Sequence, residues 1–274
     1  MAKRRSKGWT ERKIKRYVQQ GRGKGRLESY KPWLTIHDFS SKGLVSRVNG
    51  WKTNRVHHFF SNLELHLFYI LEWSDEVIDI QEQFPLGRER TMEIADQKGI
   101  AHPIDPKTKV LIVMTSDFLI TIKKDNVIYK IVRSVKPKNQ LQNKRVIDKL
   151  EVEREYWESV GVDWGIVTED ELPKVLIHNI ELFHPYYWIE TLGSVSEKQQ
   201  TLLRDVLKER ILNANKSILA VTQEFDIEFD LEAGTGLLLL KNLIARKYIL
   251  FNMDKKFVPK HSVDYLEMKS KEEK

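Results

Sequence analysis

The sequence contains no cysteine, which excludes a disulfide framework, a thiolate zinc site and a cysteine nucleophile. It also lacks any apolar run near the ~18 residues that a membrane-spanning helix needs. Its basic N-terminus is not followed by the apolar segment of a signal peptide. We therefore expect a protein of a reducing compartment, the cytoplasm, with no membrane contact.

Extremes of composition are absent as well. Hydrophobic residues make up 41% and charged residues 31% of the 274 residues, which excludes a wholly disordered chain. At roughly 150 residues per domain, this length predicts two domains. Each of them is long enough to form a hydrophobic core.

Excess positive charge is missing everywhere except at the N-terminus. Residues 1–31 contain 12 Lys or Arg and 2 acids, residues 32–168 contain 19 of each kind, and residues 169–274 contain 15 basic and 18 acidic side chains. A basic arm over residues 1–31 is typical of contact with nucleic-acid phosphates, and a solvated tail is the alternative. The candidate DNA-binding residues are Arg4, Arg5, Lys13, Arg16, Arg22, Lys24 and Arg26.

A helix is predicted from Ser61, because Ser61 and Glu64 form a capping box in front of an apolar stripe that includes Leu67 and Leu71. Glu64 borders the buried face of this helix. A structural role in the cap alone is the alternative interpretation of Glu64.

Alternating segments around residues 115–122 and 127–136 predict a hairpin that ends at Pro137. This hairpin would bring Asp117 near Lys136. A helix at about 141–159 and a strand at 162–167 follow, and the order strand, helix, strand predicts a crossover in a mixed sheet. Carboxylates bind hard cations such as magnesium, but acids and lysines on strands are more often surface residues, and both interpretations stay open at this point.

Four segments carry a resemblance to a known family. They are Phe60 to Leu65 (FSNLEL), Ile80 to Leu86 (IQEQFPL), Thr115 to Leu119 (TSDFL) and Val135 to Pro137 (VKP). In this order they resemble the TnsA family, the endonuclease subunits of heteromeric bacterial transposases. Four further segments, Gly21 to Gly25, Pro32 to Thr35, Arg55 to His58 and Leu150 to Trp157, also look like this family. The resemblance runs from about residue 20 to 168 and continues more loosely to about 257.

The resemblance implies an α/β fold with a restriction-endonuclease-like core of the PD-(D/E)xK class over residues 32–168. Glu64 and Asp117 would then hold Mg²⁺, with Mn²⁺ as a substitute, together with the Val135 backbone carbonyl. Lys136 would be the catalytic lysine. The family cuts double-stranded DNA at the five-prime ends of the transposon, while a TnsB-like transposase acts on the three-prime ends and a TnsC-like ATP-dependent regulator docks on the endonuclease subunit.

One position departs from the family pattern, since Ser134 stands where Glu or Gln is usual. A hydroxyl is a weaker ligand than a carboxylate, so a non-catalytic subunit that bridges DNA and the regulator is the alternative function. A restriction enzyme acting alone is a third possibility. His57 and His58 are expected to pack or to contact the DNA backbone, and Gln83 is given no role.

Residues 169–268 are predicted to form a winged-helix-like helical domain that ends in a hairpin, with strands near 248–253 and through Phe257 and Val258. The acidic run from Glu224 to Glu232 would repel phosphate, so we expect this domain to bind the regulator rather than DNA. Basic residues between Arg246 and Lys256 leave a DNA-touching wing as the alternative. Residues 269–274 are expected to be a disordered tail.

Overall fold

The computed structural model describes residues 8–38, 44–188 and 197–268. The chain divides into two compact units, the first ending at Leu172 and the second beginning at Pro173. The sequence placed this boundary four residues earlier, after residue 168. The short turn Glu169–Glu171 belongs to the first unit, where the Glu169 carboxylate accepts a hydrogen bond from the Lys138 backbone N–H at 2.9 Å.

The first unit is a mixed α/β structure around one four-stranded sheet. Its helices and strands are α1 (Glu11–Gln19), β1 (Ser46–Asn49), β2 (Val56–Phe59), α2 (Asn62–Trp73), β3 (Val77–Pro85), α3 (Arg88–Gln97), β4 (Thr115–Lys124), β5 (Val127–Val135), α4 (Lys144–Glu158) and β6 (Asp163–Val167). Strands β1 and β2 form a separate antiparallel pair.

The strand order of the sheet is β3, β4, β5, β6. The predicted hairpin is confirmed, because β4 and β5 are antiparallel with Phe118 opposite Arg133. The predicted crossover is confirmed too, since α4 connects β5 to a parallel β6. A parallel pair needs such a long connection, whereas a hairpin needs only a short turn.

Both faces of the sheet are covered. On one face, Leu119 and Val132 pack with residues of α3 and α4 such as Ile94, Val152 and Trp157. On the other face, the ring of Phe118 lies 6.0 Å from that of Phe59, which contacts Phe68 of α2. Burial on both faces explains why β4 is apolar on both sides at its centre, and it leaves the polar residues at the strand ends.

The described part of the basic N-terminal segment, residues 8–31, is folded, unlike the solvated tail that was the alternative interpretation of its charge. In residues 8–31, Ile14 and Tyr17 lie three apart on one face of α1 and are buried. Trp9 is buried as well, stacks on Trp33 with 6.4 Å between the rings, and donates its backbone N–H to Asp105 at 2.7 Å. These apolar residues anchor the segment to the first unit, because burial of their surface outweighs the solvation of the charges between them.

The second unit is mainly helical. It contains α5 (Lys174–Phe183), α6 (Glu197–Asn213), α7 (Ile218–Glu228), α8 (Thr235–Ala245), β7 (Ile249–Phe251) and β8 (Leu266–Met268). Its helical character agrees with the helical domain predicted from the sequence. The predicted tail, residues 269–274, lies outside the described residues.

The hairpin at the end of this unit was predicted wrongly. Strand β7 pairs with β8, not with the segment through Phe257 and Val258. That segment is instead held by Asn179 of α5, whose Oδ1 accepts from the Phe257 N–H at 3.0 Å and whose amide donates to the Met253 carbonyl at 2.9 Å. The buried side-chain amide of Asn179 thus supplies hydrogen bonds that a neighbouring strand would otherwise provide. Buried backbone N–H and carbonyl groups need such partners.

Among the described residues, no helix has both the length and the apolar character needed to cross a membrane.

Candidate active site

Asp117 lies near the start of β4, one residue before the ladder with β5 begins at Phe118. Its side chain therefore faces the end of β5, where the Val135 backbone N–H donates to Asp117 Oδ2 at 2.8 Å. A carboxylate held by a backbone donor is fixed in orientation. The sequence predicted that Asp117 and Lys136 would meet across this hairpin, and the structure brings them into contact.

Lys136 directly follows β5, and its ammonium donates to two oxygens at once. Lys136 Nζ lies 2.7 Å from Asp117 Oδ2 and 2.8 Å from the Val135 carbonyl oxygen. The Lys136 backbone N–H donates to Val167 of β6 at 3.0 Å, so the end of this strand is held firmly. The two oxygens expected to bind a metal thus converge on a single cationic centre.

Glu64 stands in the first turn of α2, where Ser61 caps the helix as predicted. The Glu64 carboxylate accepts from the Phe60 N–H at 3.1 Å and from the Ser61 hydroxyl at 2.9 Å. Burial, and then the nearby negative charge of Asp117, raises the pKa of Glu64 to about 7. This carboxyl therefore lies close enough to Asp117 for their charges to repel each other.

A third carboxylate that the sequence did not predict belongs to Glu153 of α4. Glu153 is buried and accepts a hydrogen bond from the hydroxyl of Ser134, the residue that departs from the family pattern. Burial, followed by the charge of Asp117, raises the pKa of Glu153 to about 7. Helical spacing could have indicated that Glu153 is buried, because it is three residues after Leu150 and four before Trp157, on the buried face of α4.

Lys136 is the positive centre of this cluster. Burial would lower the pKa of Lys136, but the charges of Asp117, Glu153 and Glu64 outweigh burial and raise it. Three acids therefore surround one lysine. Such a cluster retains negative potential that a further cation could neutralise.

Gln83 of β3 lies directly beside Asp117. Its backbone has φ +49°, a left-handed conformation that is rare for a residue other than glycine. The Gln83 amide donates to Asp117 Oδ1 at 3.4 Å, and its oxygen accepts from the Thr115 hydroxyl at 3.1 Å. Backbone strain of this kind is concentrated at functional sites. The sequence placed Gln83 in a motif but gave it no role.

The oxygen ligands fit a hard divalent cation. Glu64, Asp117 and the Val135 carbonyl offer only oxygen atoms, which is the chemistry that Mg²⁺ and Mn²⁺ prefer. The Lys136 ammonium, at bonding distance from two of these oxygens, shows that they point toward one position. In the described part of the chain, no three His, Cys, Asp or Glu side chains meet to form a metal site by themselves, so the carbonyl would be an essential ligand.

The candidate DNA-binding residues lie in different environments. Arg22 donates to Asp38 at 2.6 Å, and Arg26 approaches Asp79 at 3.4 Å. Lys13 Nζ lies 4.3 Å from the centre of the Trp9 ring. Arg16 and Lys24 are exposed, whereas Arg4 and Arg5 lie outside the described residues.

The two histidines before α2 differ. His57 is fully buried, with Nδ1 2.8 Å from Glu82 Oε2 and Nε2 2.6 Å from the Thr53 hydroxyl. His58 is about half-buried, and burial lowers its pKa. The packing role expected for His57 agrees with these contacts, and neither histidine lies among the three acids.

A group of acids at one edge of a mixed sheet, with a lysine at its centre, is typical of the class of enzymes that hydrolyse phosphodiesters. Comparison with known families agrees. The family described as TnsA-like endonuclease N terminal matches residues 74–169, and the TnsA endonuclease C terminal family matches residues 171–253.

A curated relative extends this match. The chain is 38% identical over 257 residues to the Transposon Tn7 transposition protein TnsA of Escherichia coli, and the alignment covers 94% of this chain and 91% of the relative. The chain therefore belongs to the TnsA endonuclease family. The resemblance inferred from several short sequence segments is confirmed.

Proposed function

We propose that this chain is the metal-dependent endonuclease subunit of a heteromeric, Tn7-like transposase, and that it cuts DNA at the five-prime ends of the transposon. The observation that carries the proposal is that the Val135 N–H and Lys136 Nζ both donate to the carboxylate of Asp117, while Lys136 Nζ also donates to the Val135 carbonyl. Membership of the TnsA family supports the same activity.

Within this proposal, Glu64, Asp117 and the Val135 carbonyl hold Mg²⁺, or Mn²⁺ in its place. A divalent cation there supplies positive charge that favours ionisation of water and offsets the charge of the phosphate. Lys136 is the catalytic lysine, and its ammonium stabilises the additional negative charge of the pentacoordinate phosphate. Asp117 is held in place by neutral and cationic donors, so its orientation does not depend on the metal.

The buried Glu153 argues against the alternative of a non-catalytic bridging subunit. That alternative rested on Ser134, whose hydroxyl cannot replace a carboxylate. The Ser134 hydroxyl instead donates to Glu153. The carboxyl group that is absent from residue 134 is therefore provided by Glu153 of α4. We propose that Glu153 supplies the acid that other nucleases of this type carry on the strand.

The finer fold assignment is part of the same proposal. A sheet with an acid on one hairpin strand, a lysine on the next and a crossover helix supports a restriction-endonuclease-like core of the PD-(D/E)xK class. Helices followed by the β7–β8 pair support a winged-helix-like second unit.

The second unit is proposed to bind a TnsC-like ATP-dependent regulator. Ile227 of α7 is 81% exposed and stands among acidic residues. Two of those acids are paired within the unit, Glu224 with Lys216 and Glu228 with Arg210. An exposed apolar residue inside a partly neutralised acidic surface favours a protein partner over DNA.

Contact with transposon-end DNA is proposed for the basic residues of the N-terminal segment. Arg16 and Lys24 are exposed and form no ion pair with a described residue, so they are the best placed of this set to meet phosphates. Phosphate contacts position a protein on DNA without reading its sequence, so we expect a TnsB-like transposase to select the ends.

The test is Asp117→Ala in a transposase reconstituted with its partner subunits, in Mg²⁺. We expect loss of five-prime cutting with assembly on DNA retained, because the variant removes the carboxylate on which the site converges. Asp125→Ala, at the turn between β4 and β5, is the matched control and should cut normally. Retained cutting by Asp117→Ala would remove the proposed site.

A further inference from the structure

A cleft of about 470 Å³ opens beside Lys136 in the first unit. Lys136 and Glu153 of the candidate site are among its lining residues. Its walls are mostly apolar, with Ile112 and Met114 from the segment before β4 and Val146 and Leu150 from α4. The volume lies within the usual range for pockets that enclose a small ligand.

Polar and charged residues also line the cleft. Gln140 and Lys149 line it together with Lys136. Lys149 forms no ion pair with any residue in the described ranges. Burial, and then the positive charges of Arg145 and Lys136, lowers the pKa of Lys149. Lys149 therefore offers a positive charge that no described acid pairs with, so it can stabilise an anion at the cleft, whereas the charge of Lys136 is already offset by Asp117 and Glu153.

Phosphate fits Lys149 but not the apolar walls, because a charge moved among apolar side chains would lose its solvation. The uncharged, flat part of a nucleotide has the opposite character, since its faces are stabilised by apolar contact. We propose that the cleft receives the unstacked base of a nucleotide that adjoins the scissile phosphate, while Lys149 binds the phosphate of that nucleotide. This inference rests on the proposed function.

Removing a base from the stack costs free energy, which enzymes recover through contacts in a pocket. The benefit here would be geometric. A base held between Ile112 and Val146 would fix the adjoining phosphate against Lys136 and Asp117, and a reacting group held in place reacts faster. The cleft would then act on the orientation of the scissile bond rather than on sequence choice.

The first measurement uses the full chain with its partner transposase on transposon-end DNA, in Ca²⁺ to limit cutting. 2-Aminopurine replaces, one at a time, each of the two nucleotides on either side of the five-prime cut. Its fluorescence rises when the base leaves the stack. We expect a rise of about threefold or more at one of these positions, consistent with base extrusion, and no rise there with Val146→Trp, which fills the cleft.

The second measurement is five-prime cutting in Mg²⁺. Val146→Trp should slow cutting about tenfold or more on intact DNA, because the base loses its place. On DNA with an abasic residue at the responsive position, the same variant should cut within about twofold of the wild-type protein. Ile147→Trp is the matched control: it is the next residue of α4, 42% exposed and not part of the cleft, and it should cut both substrates normally.

Three outcomes would overturn the inference. They are an absence of any fluorescence change, a change that persists in Val146→Trp, and equal slowing of Val146→Trp on intact and abasic DNA. A failure of the proposed function is distinct from these, because a wild-type assembly without metal-dependent cutting would refute the nuclease assignment while the fluorescence measurement still reports on the cleft.

Discussion

At the scale of single residues, the carboxylate of Asp117 is the best-determined group of the site. Oδ2 accepts from the Val135 N–H and from Lys136, and Oδ1 accepts from Gln83. The Gln83 amide can only present its nitrogen to Asp117, because its oxygen already accepts from Thr115. A donor fixed in this way orients a ligand that a metal would otherwise have to order.

We therefore expect Gln83→Leu to weaken Mn²⁺ binding about tenfold and to lower the rate of five-prime cutting by a similar factor, since partners that orient a metal ligand typically contribute 10- to 100-fold. Calorimetric titration with Mn²⁺ measures the first effect without relying on activity. Leucine keeps the size of the side chain but has no amide to donate.

Gln81→Leu is the matched control for this prediction. Gln81 is on the same strand, has the same exposure of 4%, and donates its amide to the Gly25 carbonyl at 3.1 Å, away from Asp117. Both variants should lower the melting temperature to a similar extent. Equal loss of Mn²⁺ affinity in the two variants would show that Gln83 acts only through stability.

Sequence reasoning found the site residues whose type and motif position suggest chemistry by themselves. Glu64, Asp117 and Lys136 are of this kind. Glu153 also lies in a family-like segment, Leu150 to Trp157, but was given no role, because its link to the site is a hydrogen bond with Ser134, 19 residues away. The effect of Ser134 at its position on β5 can therefore be judged only when the contact of this residue with Glu153 of α4 is known.

At the scale of whole elements, α2 positions Glu64 through its first turn. Ser61 Oγ accepts from the Glu64 N–H at 3.2 Å and also donates to the Glu64 carboxylate. Ser61→Ala should therefore have two effects. It should lower the free energy of unfolding by about 0.5–2 kcal/mol, as loss of an N-cap does, and it should reduce five-prime cutting.

Ser217→Ala provides the comparison, since Ser217 caps α7 of the second unit and accepts from the Ala220 N–H at 3.2 Å. We expect a similar loss of stability by urea denaturation but unchanged cutting. If the two variants cut equally well, the carboxylate of Glu64 does not need the Ser61 hydroxyl for its position.

Helices and strands were predictable where the periodic hydrophobic pattern agrees with the residues that cap or end the element. Helix α2 has a cap and an apolar stripe, and the β4–β5 hairpin has alternation that ends at a proline. The β7–β8 pairing was not predictable, because Asn179 of a distant helix holds the intervening segment. The fold of residues 8–31 was hidden by its charge, although Ile14 and Tyr17 already have helical spacing.

At the scale of the whole molecule, the first unit contains a buried group of charges that does not belong to the site. Glu82 of β3 is fully buried, accepts from Arg55 Nη1 at 2.8 Å, and lies 2.8 Å from His57 Nδ1. Burial alone would raise the pKa of Glu82, but His57 and Arg55 outweigh it and the pKa is lowered.

A lowered pKa in the folded state adds stability at every pH above the unfolded value, about 4.3 for Glu. That contribution is lost as the pH falls from about 5 toward the folded pKa. We therefore expect the free energy of unfolding, measured with urea, to fall steadily below pH 5. Asp38 acts in the same direction, because hydrogen bonds from Arg22, Tyr17 and Thr35 outweigh burial and lower its pKa to about 2.

Glu82→Gln should remove much of this pH dependence and cost about 3–5 kcal/mol at pH 7, because it leaves the Arg55 charge buried without a partner. Glu93→Gln is the control. Glu93 is paired with Arg90 on the surface and is 60% exposed, so its loss should cost at most about 1 kcal/mol. A Glu82→Gln protein with the acid sensitivity of the wild type would contradict this account.

The anchoring of Trp9 has a practical consequence for protein engineering. Trp9 lines the cleft beside Lys136, and its carbonyl accepts from the Thr108 hydroxyl while its N–H is bonded to Asp105. A deletion designed to strip what looks like a basic tail would therefore remove part of a wall next to the candidate nuclease centre. Purification tags and truncations should stop before Gly8.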